Sequence, residues 1–295
     1  MVKPAYLLGV LTLLAAAGGI ALQDPPSDPQ SDPKPVSAVA SLPTAAAPVQ
    51  VSPSPAPRST KPPVLLRDQL YTAGKVAAVS CALPGGALDT KAALVAYGRA
   101  AIGCLEKGWK PVATRADNYL GPAPLVPFEK GMPTPCGEPK GGYWAFYCDT
   151  NQTIYFLWKD LLEKEIGDRG EAQIAMLQLM THEYGHHLQL IFGIDNYYAI
   201  RYDDSHGDPT LIESRRMELQ ATCLGAAFLG ANRASLRLRG ERLDELNYYL
   251  RTGDESGEPH DHGSDKNNEL WTRAAFKSMN PGSCNTWIAS PKKVS

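Results

Sequence analysis

The sequence has no block of basic residues. Across 295 residues, 29 Lys and Arg stand against 31 Asp and Glu, so the formal net charge is −2, and the pI is about 6.3. Proteins that bind nucleic acid concentrate Lys and Arg on one face or along one helix. The charge distribution therefore predicts no nucleic-acid partner.

Histidine is scarce, and the Cys-x-x-Cys pair found in many structural zinc sites is missing. Of the 6 His in the chain, three fall between residues 182 and 187. Without a Cys-x-x-Cys pair, a cysteine-based metal site is not indicated. The 6 Cys need another explanation, which depends on the compartment in which the chain works.

The N-terminus indicates export. Lys3 precedes an apolar run from Ala5 to Leu22, with small residues near its end at 15–19. A basic start, an apolar middle and a small-residue exit are typical of a secretory signal peptide. The run is nearly long enough to span a bilayer, so residues 1–23 are either a signal peptide or an N-terminal membrane anchor. Both alternatives predict a secreted or extracytoplasmic chain.

Residues 24–63 form a spacer of low complexity. Pro, Ser, Ala and Asp dominate it, it contains 12 prolines, and it shows no apolar periodicity. This composition predicts a disordered, partly polyproline-II linker. Such a linker suits a domain tethered to a membrane or a cell wall.

An even number of cysteines in an exported chain indicates disulfides. The sequence alone does not choose among the pairings that six cysteines permit. The simplest prediction is pairing in chain order, which gives Cys81–Cys104, Cys136–Cys148 and Cys223–Cys284.

Residues 64–290 are predicted to form one folded domain of the mainly α (α+β) class. Apolar spacing predicts a helical hairpin, 64–82 and 90–108, that brings Cys81 towards Cys104. Aromatic and β-branched runs at 143–147 and 153–157 predict a β-hairpin, whose second strand could bind an extended peptide. Further helices are predicted at 158–167, 171–192, 209–231, 234–250 and 268–278, with irregular structure or loops at 118–142, 193–208 and 253–267.

The helix predicted at 171–192 carries His-Glu-x-x-His, formed by His182, Glu183 and His186. Residues four apart lie on one helix face, so both imidazoles can bind one metal ion. Glu183 is rotated from His182 by about 100°, so it can flank the metal without binding it. Two ligands on a rigid helix beside a carboxylate predict a Zn²⁺-dependent hydrolase.

A catalytic zinc ion usually takes a third protein ligand. The spacing His-Glu-x-x-His-x-x-Gly-x-x-His is excluded, because its later positions hold Gln189 and Phe192. A carboxylate from a following helix is the other common solution. Glu218 is the best candidate, since its helix is expected to pack against the motif helix, and Glu213 is its nearest rival.

Four strings in and around this motif are distinctive: Thr181 to His187 (THEYGHH), Glu218 to Cys223 (ELQAxC), His262 to Ser264 (HGS) and Tyr147 to Tyr155 (YCDxxQTIY). They resemble strings of the bacterial putative neutral zinc metallopeptidase family. The resemblance covers about half the chain, from Gly142 to Trp287. It implies a zincin-like helical metallopeptidase domain with a small β element before the motif helix.

The resemblance implies roles for particular residues. His182, His186 and Glu218 would bind zinc, and Glu183 would act as the general base. The chain departs from the family at Thr222, where an acidic residue is usual and would orient a zinc-binding histidine. Threonine can still accept a hydrogen bond, but as a neutral group, so zinc affinity or rate is expected to be lower.

The predicted reaction is peptide-bond hydrolysis, in which Glu183 activates a zinc-bound water and passes its proton to the leaving amine. The developing oxyanion needs a donor near the metal. His262 is the first candidate, because it lies in the family-like His-Gly-Ser string, and Tyr198 and His260 follow. His187 points away from His186 and is expected to support the site or pack.

Two other functions stay open at this point. One is a catalytically weak zinc-binding module at the cell surface, in which zinc is structural. The other is a zinc amidohydrolase that acts on cell-wall peptide rather than on protein. A structural site is closed by four protein ligands, whereas a catalytic site keeps one position open. No cysteine is spaced to join His182 and His186, which favours the open site.

Overall fold

The computed structural model of the chain describes residues 68–137, 143–163, 169–203, 208–253 and 260–295. The predicted signal or anchor segment, the linker at 24–63 and the start of the domain at 64–67 lie outside these residues. Within the described residues, no helix is long and apolar enough to cross a membrane.

The domain is mostly helical and carries one small sheet, as the sequence predicts. Strand β1 is Leu125–Phe128, β2 is Ala145–Cys148 and β3 is Thr153–Leu157. Short 3-10 turns lie at Gln69–Thr72 and in the C-terminal tail. The helices are α1 Lys91–Arg115, α2 Trp158–Glu163, α3 Arg169–Ile191, α4 Ile194–Asp203, α5 Asp208–Ala231, α6 Glu241–Arg251 and α7 Asp265–Ser278.

The predicted β-hairpin is present, and a third strand joins it. Strands β2 and β3 pair antiparallel, with Phe146 opposite Tyr155, and β1 pairs parallel to β3. The prediction of irregular structure missed β1, which contains Pro127; proline is tolerated at a sheet edge, where no ladder bond is lost. Strand β3 is therefore central, so the prediction that its edge binds a peptide is wrong.

Helix α3, which carries the motif, packs against α5 at very close range. A Cβ atom on Gly185 of α3 would lie 2.5 Å from the backbone oxygen of Ala221 in α5. One turn away along α3, a Cβ atom on Gly225 of α5 would lie 2.9 Å from the backbone oxygen of Thr181. Two glycines, one on each helix, therefore let the backbones touch, and this contact brings Glu218 towards the motif histidines.

The structure differs from prediction at the start of the domain. In place of a helix at 64–82, the described residues form a 3-10 turn at Gln69–Thr72 and then run without helix to Thr90. Helix α1 begins where expected, because the Thr90 hydroxyl accepts from the Ala93 amide at 3.1 Å. It continues beyond residue 108 to Arg115.

Two later segments also differ from prediction. The expected loop at 193–208 contains helix α4. This helix begins directly after Gly193, whose φ angle is 70°. Ile194 at the start of α4 is fully buried, and its burial stabilises a helix whose sequence is otherwise polar. The helix expected from residue 234 begins only at Glu241, because Arg237 and Gly240 adopt positive φ angles of 55° and 56°.

Two of the three predicted disulfides are present, Cys136–Cys148 and Cys223–Cys284. The prediction of Cys81–Cys104 is wrong: both are buried free thiols. The expected helical hairpin does not form, and Cys81 lies on a non-helical segment beside α1. There the thiols contact each other, and a hydrogen bond to Cys104, reinforced by burial, raises the pKa of the Cys81 thiol.

Candidate metal centre

The motif helix and α5 bring three ligand atoms together. On α3, the Nε2 atoms of His182 and His186 lie 3.2 Å apart. The Oε2 atom of Glu218, from α5, lies 3.2 Å from each of these nitrogens. A tetrahedral ion with bonds of roughly 2.1 Å holds its ligand atoms about 3.4 Å apart. The triangle of ligand atoms therefore has the size that zinc requires.

Hydrogen bonds on the far side of each ring fix which nitrogen carries the proton. The Thr222 hydroxyl donates to the Glu218 backbone oxygen at 3.1 Å, so it accepts from His182 Nδ1 at 2.9 Å. The Gln189 amide nitrogen donates to Met217 O at 2.8 Å, and its Oε1 accepts from His186 Nδ1 at 2.8 Å. Both rings are therefore protonated at Nδ1.

This proton assignment tests whether the site fits a cation. In the neutral rings each Nε2 then presents a lone pair, and the two lone pairs face each other and the Glu218 carboxylate across 3.2 Å. Three acceptor atoms this close repel one another unless a proton or a metal ion lies between them. The donor set of two imidazoles and one carboxylate is one that Zn²⁺ takes in hydrolases. The residues present therefore fit a zinc ion.

Glu183 flanks this triangle without joining it. Its side chain is 4% exposed and borders the clefts on both sides of the site. Burial raises the pKa of the Glu183 carboxyl, and the neighbouring His182 and His186 oppose that rise. Burial also acts to raise the pKa of Glu218. The nearby His186, His262 and His182 outweigh it and hold that pKa well below its usual range. The two carboxylates thus differ in basicity, as separate roles require.

His262 reaches the site from the loop before α7. Its Nε2 atom lies 3.4 Å from Glu218 Oε2, and its ring stacks on that of His182 with centroids 6.0 Å apart. The Asp261 carboxylate lies 2.7 Å from its Nδ1 and so orients the ring. The loop is held by Asn268, whose side-chain amide donates to the His262 backbone oxygen at 3.0 Å.

The other candidate donors for the oxyanion are placed differently. Tyr198 lines the cleft, and burial raises the pKa of its hydroxyl to about 12. His260 does not line either cleft that borders the site. It contributes its backbone oxygen, which accepts from Arg215 Nε at 2.6 Å. His262 and Tyr198 are therefore the two candidates that face the clefts.

Glu213 and His187 serve the structure around the site. Glu213, the rival third ligand, pairs with Arg201 at 2.6 Å and lies 3.7 Å from Arg216 Nε. His187 is fully buried. Its Nε2 bonds the Gly121 backbone oxygen at 3.1 Å, and its Nδ1 bonds the Tyr147 hydroxyl at 2.9 Å. His187 therefore ties the motif helix to strand β2.

Sequence reasoning missed two residues that support the site, Gln189 and Asp261. Gln189 is completely buried and lies three positions after His186, on the same side of the helix. Its spacing from His186 on the predicted helix is the signal that the sequence carries. Asp261 directly precedes His262, but only the loop conformation turns its carboxylate towards the ring.

Two clefts meet at the ligand triangle. One has a volume of about 460 Å³ and the other about 370 Å³. Both are bordered by Glu183, His182 and His262, and by residues at and before strand β2. The triangle is therefore open to a groove that continues on both sides of Glu183, and β2 is the strand next to this groove.

One family of known proteins matches most of the chain. The model of the family described as "Putative neutral zinc metallopeptidase" matches residues 68–287, a wider span than the strings around the motif. The uncharacterized protein YpfJ of Escherichia coli (strain K12) is 26% identical over 179 residues, which cover 56% of this chain and 61% of that protein. The uncharacterized protein Rv2575 of Mycobacterium tuberculosis (strain H37Rv) is 24% identical over 213 residues, covering 62% of this chain and 67% of that protein. No solved structure matches the chain.

Proposed function

The chain belongs to the putative neutral zinc metallopeptidase family, and from this premise we propose that it is a zinc-dependent peptidase that cleaves peptide bonds outside the cytoplasm. Because the chain spans only 61% of the length of YpfJ, its activity is argued from its own site. The observation that carries the proposal is the triangle of His182, His186 and Glu218, with both imidazole protons held on the outer nitrogens.

The open side of this triangle favours catalysis over a structural role. In the described part of the chain, the metal-binding group at this place has three members, His182, His186 and Glu218. Their ligand atoms all lie within 4.8 Å of one another. A structural zinc site is closed by a fourth protein ligand, whereas a catalytic site leaves that position to water or substrate. Here that side faces the larger cleft, which has a volume of about 460 Å³.

Each residue then has a role that follows from its position. A bound zinc ion would polarise the scissile carbonyl and lower the pKa of the attacking water towards 7. Glu183 takes the proton of that water and delivers it to the leaving amine, a task suited to a carboxylate whose pKa is raised. His262, oriented by Asp261, donates to the developing oxyanion.

The substrate backbone would lie along strand β2. This strand is at the edge of the described sheet, and Ala145, Phe146 and Tyr147 line the larger cleft. An extended peptide can add to such an edge through backbone hydrogen bonds, which are independent of its side chains.

Export is supported by the two disulfides. Cys136–Cys148 and Cys223–Cys284 are of the kind that persists in oxidising compartments and is rare in the cytosol. Together with the predicted signal or anchor segment at residues 1–23, they favour a domain that works in the extracytoplasmic space.

The test measures zinc content and peptide cleavage for the purified chain and three variants. Glu183→Gln should keep its zinc and lose about 100- to 10,000-fold in kcat, since the general base is removed. Glu218→Ala should lose its zinc. The exposed Glu269 on α7 provides the matched control, and Glu269→Gln should change neither property. A Glu183→Gln variant that cleaves as fast as wild type would overturn the mechanism. A wild-type protein that binds zinc but cleaves no peptide would indicate the structural zinc-binding module.

A further inference from the structure

The smaller of the two clefts, with a volume of about 370 Å³, has a distinct chemistry. Beyond the residues of the ligand triangle and the oxyanion donor, its described lining is mainly apolar and aromatic. We call it the apolar pocket. Its apolar and aromatic lining residues are Tyr143, Trp144, Ala145, Leu161, Ala175, Leu179 and Tyr249.

The apolar pocket runs along the motif helix away from the ligand triangle. Ala175, Gln178, Leu179 and His182 all line it, and their spacing places them on one face of α3. From His182 to Ala175 the helix rises by about 10 Å. This length accommodates a large apolar side chain that extends from a backbone held beside Glu183.

Other elements complete the apolar pocket. Leu161 of α2 is buried, and Tyr249 of α6 is half-buried, with its hydroxyl 3.3 Å from Glu171. Trp144, just before β2, remains 39% exposed and so borders the pocket where solvent enters. The apolar and aromatic lining thus comes from four separate parts of the chain.

The two clefts differ sharply in charge. Among the described residues that line the apolar pocket, Glu183 is the only Asp, Glu, Lys or Arg. The larger cleft is lined in addition by Asp149, Asp195, Glu218 and Asp261. A charged side chain placed in the apolar pocket would lose its hydration, which is costly, and the one charged side chain among the described lining residues is Glu183, which the proposed reaction uses. An apolar side chain would gain from burial there.

We propose that the apolar pocket binds a large apolar side chain, such as that of leucine or phenylalanine, on a substrate residue that flanks the scissile bond. Because Glu183 and His182 border the pocket, its occupant belongs to one of the two residues next to the cleaved bond. This inference rests on the proposed peptidase function and names the substrate class of that same site.

Ala175 is the residue that sets the size of the apolar pocket. It is the smallest side chain on the α3 face that lines the pocket, and it is half-buried. A larger side chain at this position would project into the space that the substrate side chain occupies. Ala175 is therefore a specificity-determining position, which acts through volume and not through chemistry.

The experiment compares peptides that differ at a single residue. A mixed peptide library is digested with the zinc-loaded protein, and mass spectrometry of the products identifies the residues that flank each cut. The kcat/KM values are then measured for matched peptides with phenylalanine, leucine, alanine, lysine or aspartate at the selective position. Wild type should prefer phenylalanine or leucine over alanine by roughly 10- to 200-fold.

Ala175→Phe should reduce this preference to about threefold or less while cleavage of the alanine peptide continues. Ala175→Val is a milder change that should give an intermediate preference, and it covers the case in which the larger variant does not fold. Ala96, exposed on helix α1, gives the matched control, and Ala96→Phe should keep the wild-type preference.

A binding measurement separates substrate selection from catalysis. In the Glu183→Gln protein, calorimetry should show tighter binding of the phenylalanine peptide than of the alanine peptide, and Ala175→Phe should remove the difference. If wild type cleaves no peptide at all, the proposed function fails. If wild type cleaves without preference or prefers a charged residue, the apolar pocket has been wrongly assigned and the peptidase function stands. The same conclusion follows if both Ala175→Phe and Ala175→Val keep the wild-type preference.

Discussion

At the scale of single residues, the site depends on neutral hydrogen-bond partners behind its histidines. Thr222 accepts from His182 Nδ1 at 2.9 Å, and Gln189 accepts from His186 Nδ1 at 2.8 Å. Partners of this kind fix the ring orientation and the tautomer of a metal-binding histidine. Neither carries a charge, so each orients its ring while adding less to ligand basicity than a carboxylate would.

We expect Thr222→Val to weaken zinc binding by about 10- to 100-fold, because His182 loses the acceptor that keeps its proton on Nδ1. Thr222→Asp, which restores the acidic residue usual in the family, should strengthen binding. Competition against a chelator measures both. Thr114 on α1 makes the same hydrogen bond to a backbone oxygen four residues earlier, so Thr114→Val is the control. Equal zinc affinity in Thr222→Val and Thr114→Val would show that the hydroxyl has no role in binding.

A second prediction concerns His262. We expect His262→Ala to retain zinc and to lose about 100- to 1,000-fold in kcat, because the oxyanion loses its donor. Asp261→Asn should cause a smaller loss, since the ring remains but is less well oriented. Steady-state kinetics together with metal analysis separate the two effects. Loss of zinc from His262→Ala would instead make His262 a ligand.

At the scale of elements, the contact between α3 and α5 decides whether the ligand triangle forms. Glu218 and the two histidines lie on different helices, and the distances of 3.2 Å between their ligand atoms require those helices to touch. Gly185 and Gly225 permit this contact, because any side chain there would meet the opposing backbone. The Thr222 hydrogen bond crosses the same interface.

Gly185→Ala should therefore damage both stability and zinc binding. The added methyl would lie 2.5 Å from Ala221 O, so the helices must separate, at a cost of about 1–3 kcal/mol. Gly103 in α1 has no atom within 4 Å of an added Cβ, and Gly103→Ala should stabilise the chain by up to about 1 kcal/mol. Denaturant unfolding and chelator competition measure the two effects. A Gly185→Ala protein as stable as wild type would refute this account of the interface.

At the scale of the whole molecule, the C-terminal tail is fastened to the helix that carries Glu218. The Cys223–Cys284 disulfide closes a sequence separation of 61 residues. Nearby, the Gln220 side chain donates to the Cys284 backbone oxygen at 3.0 Å, and the Thr286 hydroxyl donates to the Arg216 backbone oxygen at 2.7 Å. The tail thus holds the part of α5 that carries Glu218.

Loop entropy predicts different costs for removing the two disulfides. Replacing Cys223 and Cys284 with serine should destabilise the chain by about 4 kcal/mol, while replacing Cys136 and Cys148 should cost about 3 kcal/mol. The first change should also weaken zinc binding, because α5 loses its support. Chemical denaturation with and without a reductant tests both values. If replacing Cys223 and Cys284 lowers the free energy of unfolding by less than replacing Cys136 and Cys148 does, the predicted ranking is contradicted.

Much of the site could be predicted because its signals are local. The helical period alone places His182 and His186 on one face of the helix predicted at 171–192, which the structure gives as Arg169–Ile191. The β-hairpin before it was also predicted from alternating aromatic and β-branched residues, and it is present as β2 and β3. The mainly helical class followed from the same periodicity.

The errors fall where distant contacts override local preference. Helix α4 has a polar sequence that predicts a loop, but the burial of Ile194 stabilises it as a helix. Strand β1 is held by pairing with β3, some thirty residues later. Cys104 lies on the predicted helix, but Cys81 lies on a segment that is not helical as predicted, and the two remain free thiols.

The sequence by itself determined the chemistry of this protein: the histidine pair, its flanking glutamate and the family to which they belong. These features depend on residue type and on spacing along one helix, and both are fixed locally. Tertiary structure alone decided that Glu218, the carboxylate that the sequence favours over Glu213, meets the two histidines, that Thr222 lies behind His182, and that an apolar pocket lies beside Glu183. Each of those outcomes needs residues far apart in the chain to meet, and only the packing of α3 against its neighbours brings them together.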